Sequence, residues 1–166
     1  MQTFTSTAED VLFERDLTGS QNFDFAYGSW EGNLRPSEEG IIVAEQCDYS
    51  GGAGFINFSL NLAGIPLNEL FVVVEAKRLP SASAKLLGVL LASKSLSDAS
   101  CWQYPIADIS DMEFTSVEYP LAAQPAYTRD VGVDFSNIID LQVQGDYTTP
   151  GEIGLVIRKI KIIRKN

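Results

Sequence analysis

Leu70-Phe71-Val72-Val73-Val74-Glu75-Ala76 and, a short way on, Leu86-Leu87-Gly88-Val89-Leu90-Leu91-Ala92 are the two stretches that decide the fold. Each is apolar on both faces, rich in Val and Leu, and short. That is the pattern of a strand covered from both sides, and it predicts two strands at the middle of stacked sheets.

On either side of them the apolar residues alternate with period two between Gly, Pro, Asn, Asp and Ser, the mark of strands with one wet face. Over 55–62, Ile56, Phe58, Leu60 and Leu62 are set to point one way and Asn57, Ser59 and Asn61 the other. Over 135–145, Ile139, Leu141 and Val143 are set inward, and Asp140, Gln142 and Gln144 outward. The last segment runs Ile153, Leu155, Ile157 and then slips phase to Ile160 and Ile162, which predicts a β-bulge. Weaker strand patterns at 11–17, 23–27, 41–47, 102–106 and 114–119 bring the total to about ten. Gly51-Gly52-Ala53-Gly54 has no following Lys and reads as a tight turn between strands rather than a phosphate loop. No long window keeps helical spacing free of Gly or Pro. The expected fold is all-β, a two-sheet antiparallel β-sandwich of the jelly-roll kind, forming one domain over 1–166 with 1–9 as a loose N-terminal extension.

Charge narrows the partners. With 22 acidic and 12 basic residues the net charge is −10, so the mean field repels phosphate backbones and anionic head groups. Neither nucleic acid nor a membrane is an expected partner, and no apolar run approaches the roughly 20 residues that span a bilayer. The basic residues Arg158, Lys159, Lys161, Arg164 and Lys165 interleave with Ile157, Ile160, Ile162 and Ile163 and read as a solvated strand face.

The chain has no histidine, which removes Ser-His-Asp and Cys-His nucleophiles, the usual zinc sites and the commonest general base. Paired carboxylates are the remaining route to catalysis, with Glu75 and Asp140 the pair that the strand pattern offers. A salt link from Glu75 to Lys77 or Arg78 is the structural use of the same carboxylate, and the expectation is a protein that is not an enzyme. Cys47 and Cys101 are too few for a disulfide scaffold. Bridged, they would close a loop of about 55 residues and stabilise by roughly 4 kcal/mol; two buried free thiols fit equally well. Gln2 to Thr7 has neither the basic start nor the apolar stretch of a secretory leader. That leaves a cytoplasmic protein or a module of a longer one.

The final third carries a family likeness. Phe-Thr-Ser-Val-Glu-Tyr-Pro-Leu over 114–121, Val-Asp-Phe-Ser-Asn-Ile over 133–138, Leu-Gln-Val-Gln-Gly over 141–145 and the strand over 153–162 come in an order that the earlier 71–76 strand completes. The whole, from 11 to 163, resembles the galactose-binding-like β-sandwich of many carbohydrate-binding modules and accessory domains of polysaccharide-degrading enzymes. The resemblance implies a non-catalytic module, secreted or extracellular within a larger protein, that recognises a polysaccharide or oligosaccharide weakly. The alternative it carries is a structural or protein-interaction domain packed on other domains of a parent enzyme. Modules of this kind often end in an Ile-Asp-Asp-Val-like strand whose carboxylates help hold a structural calcium ion. Here Ile157-Arg158-Lys159-Ile160 stands in those places, and two cations cannot ligate calcium. No cofactor is therefore expected; the resemblance implies a calcium site that is absent or rebuilt, with Arg158 and Lys159 paired to acids such as Glu14 or Asp16. Calcium among Asp134, Asp140 and Asp146 stays open.

A sugar ring offers hydroxyls that pair with amides, carboxylates and guanidinium groups, and a C–H face that packs on an aromatic ring. The candidate ligand-binding residues are accordingly Asn57, Asn61, Gln142 and Gln144 from the polar strand faces, Glu75, Lys77 and Arg78 between or beside them, and the aromatics Tyr27, Trp30, Trp102 and Tyr104. Trp30, following Tyr27-Gly28-Ser29, is expected as an exposed loop platform. For Trp102 and Tyr104 a place in the core or covering a sheet is the competing use, and for Trp30 packing over an end of the sandwich.

Overall fold

Strands dominate the computed structural model, which describes residues 9–94, 97–147 and 150–166. In chain order they are β1 (Glu9–Asp16), β2 (Phe25–Tyr27), β3 (Arg35–Pro36), β4 (Ile41–Val43), β5 (Gly52–Phe55), β6 (Leu70–Arg78), β7 (Leu86–Ser93), β8 (Asp98–Pro105), β9 (Thr115–Pro120), β10 (Tyr127–Arg129), β11 (Asp140–Gly145) and β12 (Leu155–Lys165). Helical structure among the described residues is confined to three short 3-10 turns, at Gly28–Trp30, Leu67–Glu69 and Ile106–Asp108. Residues 1–8 of the expected N-terminal extension lie outside the described residues, and Glu9 already pairs with Lys165.

The strands form two antiparallel sheets. Sheet I has the order β3-β4-β12-β6-β9, with β1 replacing β4 beside the second half of β12. Sheet II has the order β10-β8-β7-β11-β5-β2. The two apolar stretches that fix the fold, β6 and β7, thus sit inside different sheets and face each other across the core. From sheet I, Leu70, Val72, Val74, Ala76, Leu155, Ile157, Ile160 and Ile162 point inward; from sheet II, Leu87, Val89, Leu91, Leu141, Val143, Ala53 and Phe55 meet them. The phase slip in β12 is a real bulge, the register against β6 shifting between Ile157 and Lys159 and leaving Arg158 unpaired.

Two sequence readings are corrected. Residues 52–55 are not a turn but β5, a buried strand between β11 and β2. Its glycines answer a lateral demand. A Cβ on Gly52 would lie 2.6 Å from the Tyr27 hydroxyl, and one on Gly54 would lie 2.4 Å from the Leu141 carbonyl oxygen. The alternation over 55–62, read as a strand with one wet face, belongs beyond Phe55 to an irregular crossing. Its Leu60 exchanges backbone hydrogen bonds with Ile138 at 2.9 Å, while Leu62 enters the core. Any extended segment laid along the rim of a core shows period-two burial, with or without a ladder.

The outer face of sheet I is a lattice of ion pairs. Lys159 meets Glu14 at 3.4 Å, Lys161 meets Glu9 at 3.1 Å, Arg158 meets Glu75 at 3.0 Å, and Lys165 pairs with Glu118. The expected solvated basic face is therefore present, and its charges are answered by acids on the neighbouring strands.

Candidate functional site

The outer face of sheet II has a different character. The register places Tyr127 and Arg129 of β10 on it, followed by Gln103, Cys101 and Ala99 of β8, then Gly88, Leu90 and Ala92 of β7. Beyond these come Gln144, Gln142 and Asp140 of β11, Gly52 and Gly54 of β5, and finally Tyr27 and Phe25 of β2. Small residues make the floor of the middle strands, and aromatic rings and one guanidinium rise at the two edges.

This face is concave. Four strands separate β10 from β2, yet Arg129 of the first and Phe25 and Tyr27 of the second line one depression of about 390 Å³ together with Gln142. A second depression of about 420 Å³ adjoins it, bounded by Gln103, Tyr127, Gln144, Asp146 and Tyr147. Between the two runs a bar of hydrogen bonds. The Tyr27 hydroxyl lies 2.8 Å from Gln142 Oε1 and 2.9 Å from Gln144 Oε1, and donates to these carbonyls. Gln144 Nε2 in turn donates to the Tyr127 hydroxyl and toward Cys101 Sγ at 3.6 Å. The two edges of the sheet are tied together over its centre.

Burial shapes the chemistry of this face. It pushes the Tyr127 phenol up to about 12 and raises the Tyr27 phenol further, so both stay neutral hydrogen-bonding groups. Asp140 is only 4% exposed, and its Oδ1 has no hydrogen-bond partner. Burial pushes its carboxyl up to about 6, against the opposing pull of the Gln142 amide and the Arg129 guanidinium. Cys101 and Cys47 are free, buried thiols, each pushed by burial up to about 11. The open question of a bridge is thereby answered in favour of two thiols.

Of the candidate residues, the groove brings together Tyr27, Gln142 and Gln144. It does not include the others. Trp30 is fully buried, its indole N–H donating to the Asp48 carbonyl at 2.8 Å, so the expected platform is a core residue. Trp102 and Tyr104 point to the inner side of β8: Trp102 is 4% exposed with its indole N–H on the Ala123 carbonyl, and the Tyr104 ring packs 5.9 Å from Tyr119. Glu75, Lys77 and Arg78 lie on β6 in the other sheet. Glu75 holds Arg158, not the expected Lys77 or Arg78. Lys77 reaches Glu39 at 3.6 Å, and Arg78 donates to the Ile109 carbonyl at 2.9 Å. Asn57 and Asn61 leave the sheet altogether: Asn57 adopts a left-handed φ of 65°, and Asn61 caps a turn by accepting from the Ala63 N–H.

Glu75 and Asp140 stand on the outer faces of opposite sheets and cannot flank one scissile bond. Arg158 and Lys159 are neutralised as the resemblance implied, Lys159 by Glu14, although Arg158 takes Glu75 instead of an acid of β1. Among the described residues no group of three or more His, Cys, Asp and Glu is disposed to hold a metal ion. Sequence reading missed Phe25, Gln103, Tyr127, Arg129 and Tyr147. The alternation Phe25-Ala26-Tyr27 held the signal for the first; the three-residue strand Tyr127-Thr128-Arg129, following Pro125, is too short to show a period.

No protein-family model and no curated protein matches the sequence. Solved structures do. The xylan-binding module CBM15 superposes with a TM-score of 0.57 over 96% of this chain and 97% of its own length, at 13% identity. The fold is a β-sandwich like that of this module. CtCBM11, known from a solution structure with binding studies, agrees with a TM-score of 0.54 over 98% of both chains at 16% identity. At such identities the likeness is one of fold, and function has to be argued from the groove itself.

Proposed function

We propose that this protein is a non-catalytic carbohydrate-binding module whose ligand, a polysaccharide or oligosaccharide, lies in the groove on the outer face of sheet II. The observation that carries the reading is the concave face itself: rings from both edges stand over a floor of small residues and polar side chains. Phe25, Tyr27 and Tyr127 offer apolar walls for the C–H faces of sugar rings. Gln142, Gln144, Gln103 and Arg129 offer planar donors and acceptors for hydroxyls. A domain that merely packs against a parent enzyme has no use for such a groove. The fold shared with a xylan-binding module supports the same reading. A place in a secreted, multi-domain protein follows as part of the proposal.

Two ring contacts at about 1 kcal/mol each, with three or four hydrogen bonds of about 1 kcal/mol, correspond to a dissociation constant of about 0.04–0.2 mM. Binding is weak and gains from avidity. The test is affinity electrophoresis through gels containing soluble polysaccharides, xylan and mixed-linkage β-glucan among them. Retardation by one glycan is expected, reduced several-fold by Phe25→Ala or Arg129→Ala and left alone by Arg35→Ala on β3 of the other sheet. Uniform migration across a broad panel would transfer the groove to a protein partner.

A further inference from the structure

We propose that the groove does not end at β10 but turns over the open edge of β8 into a cleft between the two sheets, so that the bound glycan is an extended chain with a further subsite there. The inference rests on the glycan-binding reading and lengthens its site.

β10 is three residues long and covers β8 only from Ala99 to Cys101. Beyond Cys101 the edge of β8 is open, and β9, the last strand of sheet I, stands across from it over a depression of about 550 Å³. This cleft is larger than either depression of the groove. Gln103 and Ala126 border both it and the neighbouring depression of about 420 Å³, which makes the two one continuous trough.

The lining divides by chemistry. Trp102 and Tyr119 have their polar ends already spent, the indole N–H on the Ala123 carbonyl at 2.9 Å and the phenol on the Leu87 carbonyl at 3.2 Å, so what they add to the cleft is apolar. The Tyr104 hydroxyl and the Gln103 and Gln124 amides around them are engaged by no described residue. Glu118, also in the lining, has its charge answered by Lys165. Apolar rings, free amides, a free hydroxyl and a neutralised carboxylate suit an uncharged sugar.

The edges themselves argue against an added peptide strand. The Cys101 carbonyl accepts from the Ala126 N–H at 2.7 Å, so the alternation of β8 turns the main-chain groups of Gln103 and Pro105 outward as well. On β9 the Leu121 N–H bonds to the Leu70 carbonyl at 3.0 Å, which leaves Glu118 and Pro120 as the outward pair. Each edge thus carries an exposed proline where a new strand needs an N–H. Sugar hydroxyls donate as well as accept, and can use the carbonyls that remain.

The experiment titrates the nitrogen-15-labelled whole chain with xylo- and mixed-linkage β-gluco-oligosaccharides of four and of eight sugars. The side-chain amides of Gln142 and Gln144 report the groove; the Gln124 amide and the Trp102 indole N–H report the cleft. With the longer chain both sets are expected to move together. Tyr104→Phe combined with Gln124→Ala keeps the ring and alters one exposed residue, and should weaken binding of the longer chain at least about fivefold, the worth of one hydrogen bond. Saturation of the groove reporters by the longer chain with the cleft reporters still, or an unchanged affinity in the double variant, overturns the edge subsite and leaves the groove standing. Cleft reporters that move while Gln142 and Gln144 stay still make the cleft a separate site and overturn its continuity with the groove. Silence of all four with every oligosaccharide overturns the glycan reading instead.

Discussion

Trp30 shows how much one indole can do out of sight. Its ring is fully enclosed and its N–H is satisfied by the Asp48 carbonyl, whose own side chain accepts from Ser29 and from both the N–H and the hydroxyl of Ser50. Removing the ring leaves a cavity and an orphaned carbonyl together. Trp30→Ala is expected to cost about 3–5 kcal/mol, read from urea denaturation, rather than to trim affinity in a folded protein. Asp140 makes the opposite kind of statement. Its folded-state carboxyl titrates near 6, above the ordinary aspartate value, so the native state holds the proton more tightly than the unfolded chain. The resulting stabilisation is complete below about pH 4 and is lost as the pH rises through 6, a change on the order of 3 kcal/mol. Denaturation at a series of pH values should show that slope in the wild type and not in Asp140→Asn. The site was partly legible at this scale. Gln142 and Gln144 were readable because their strand alternates cleanly, whereas Trp30 and Trp102 read two ways, as platform or as packed ring, because a main-chain carbonyl can satisfy an indole N–H inside a core.

At the scale of elements, β6 and β7 were legible because both of their faces are apolar, and β12 because its phase slip marks the bulge. What alternation does not say is which sheet a strand joins. Glu75 and Gln142 both read as polar positions on strands, and they face solvent on opposite sides of the sandwich. β5 was misread because glycine was taken as punctuation, although here it clears space for the Tyr27 ring and the β11 backbone; the 56–62 crossing was misread because its burial alternates without a ladder. The division between the sheets has a direct test. Glu75 is the partner of Arg158, which also lies 4.3 Å over the Phe114 ring. Glu75→Ala should cost about 1 kcal/mol of stability, as expected for a half-exposed pair, and leave glycan retention unchanged.

For the molecule as a whole, the two outer faces divide the work. Sheet I neutralises its charges strand against strand, and sheet II leaves amides, phenols and a guanidinium along a groove tied across its middle. The depth of that groove comes from side chains that are missing from its floor. A methyl group on Gly54 would drive into a main-chain carbonyl at 2.4 Å, whereas one on Gly88 would meet Cys101 Sγ and Gln144 Cγ, each at 3.1 Å, and the Gln144 carbonyl oxygen only at 3.4 Å. Gly54→Ala should therefore unfold the edge of sheet II, while Gly88→Ala should fold normally and shallow the trough, a contrast that hydrogen exchange and gel retention together would read. Such a mould resists gradual resizing. Where its floor is glycine the bed is backbone, so selection can repaint the rim with new rings and amides far more easily than it can deepen the bed, and a change of ligand would begin at the edges.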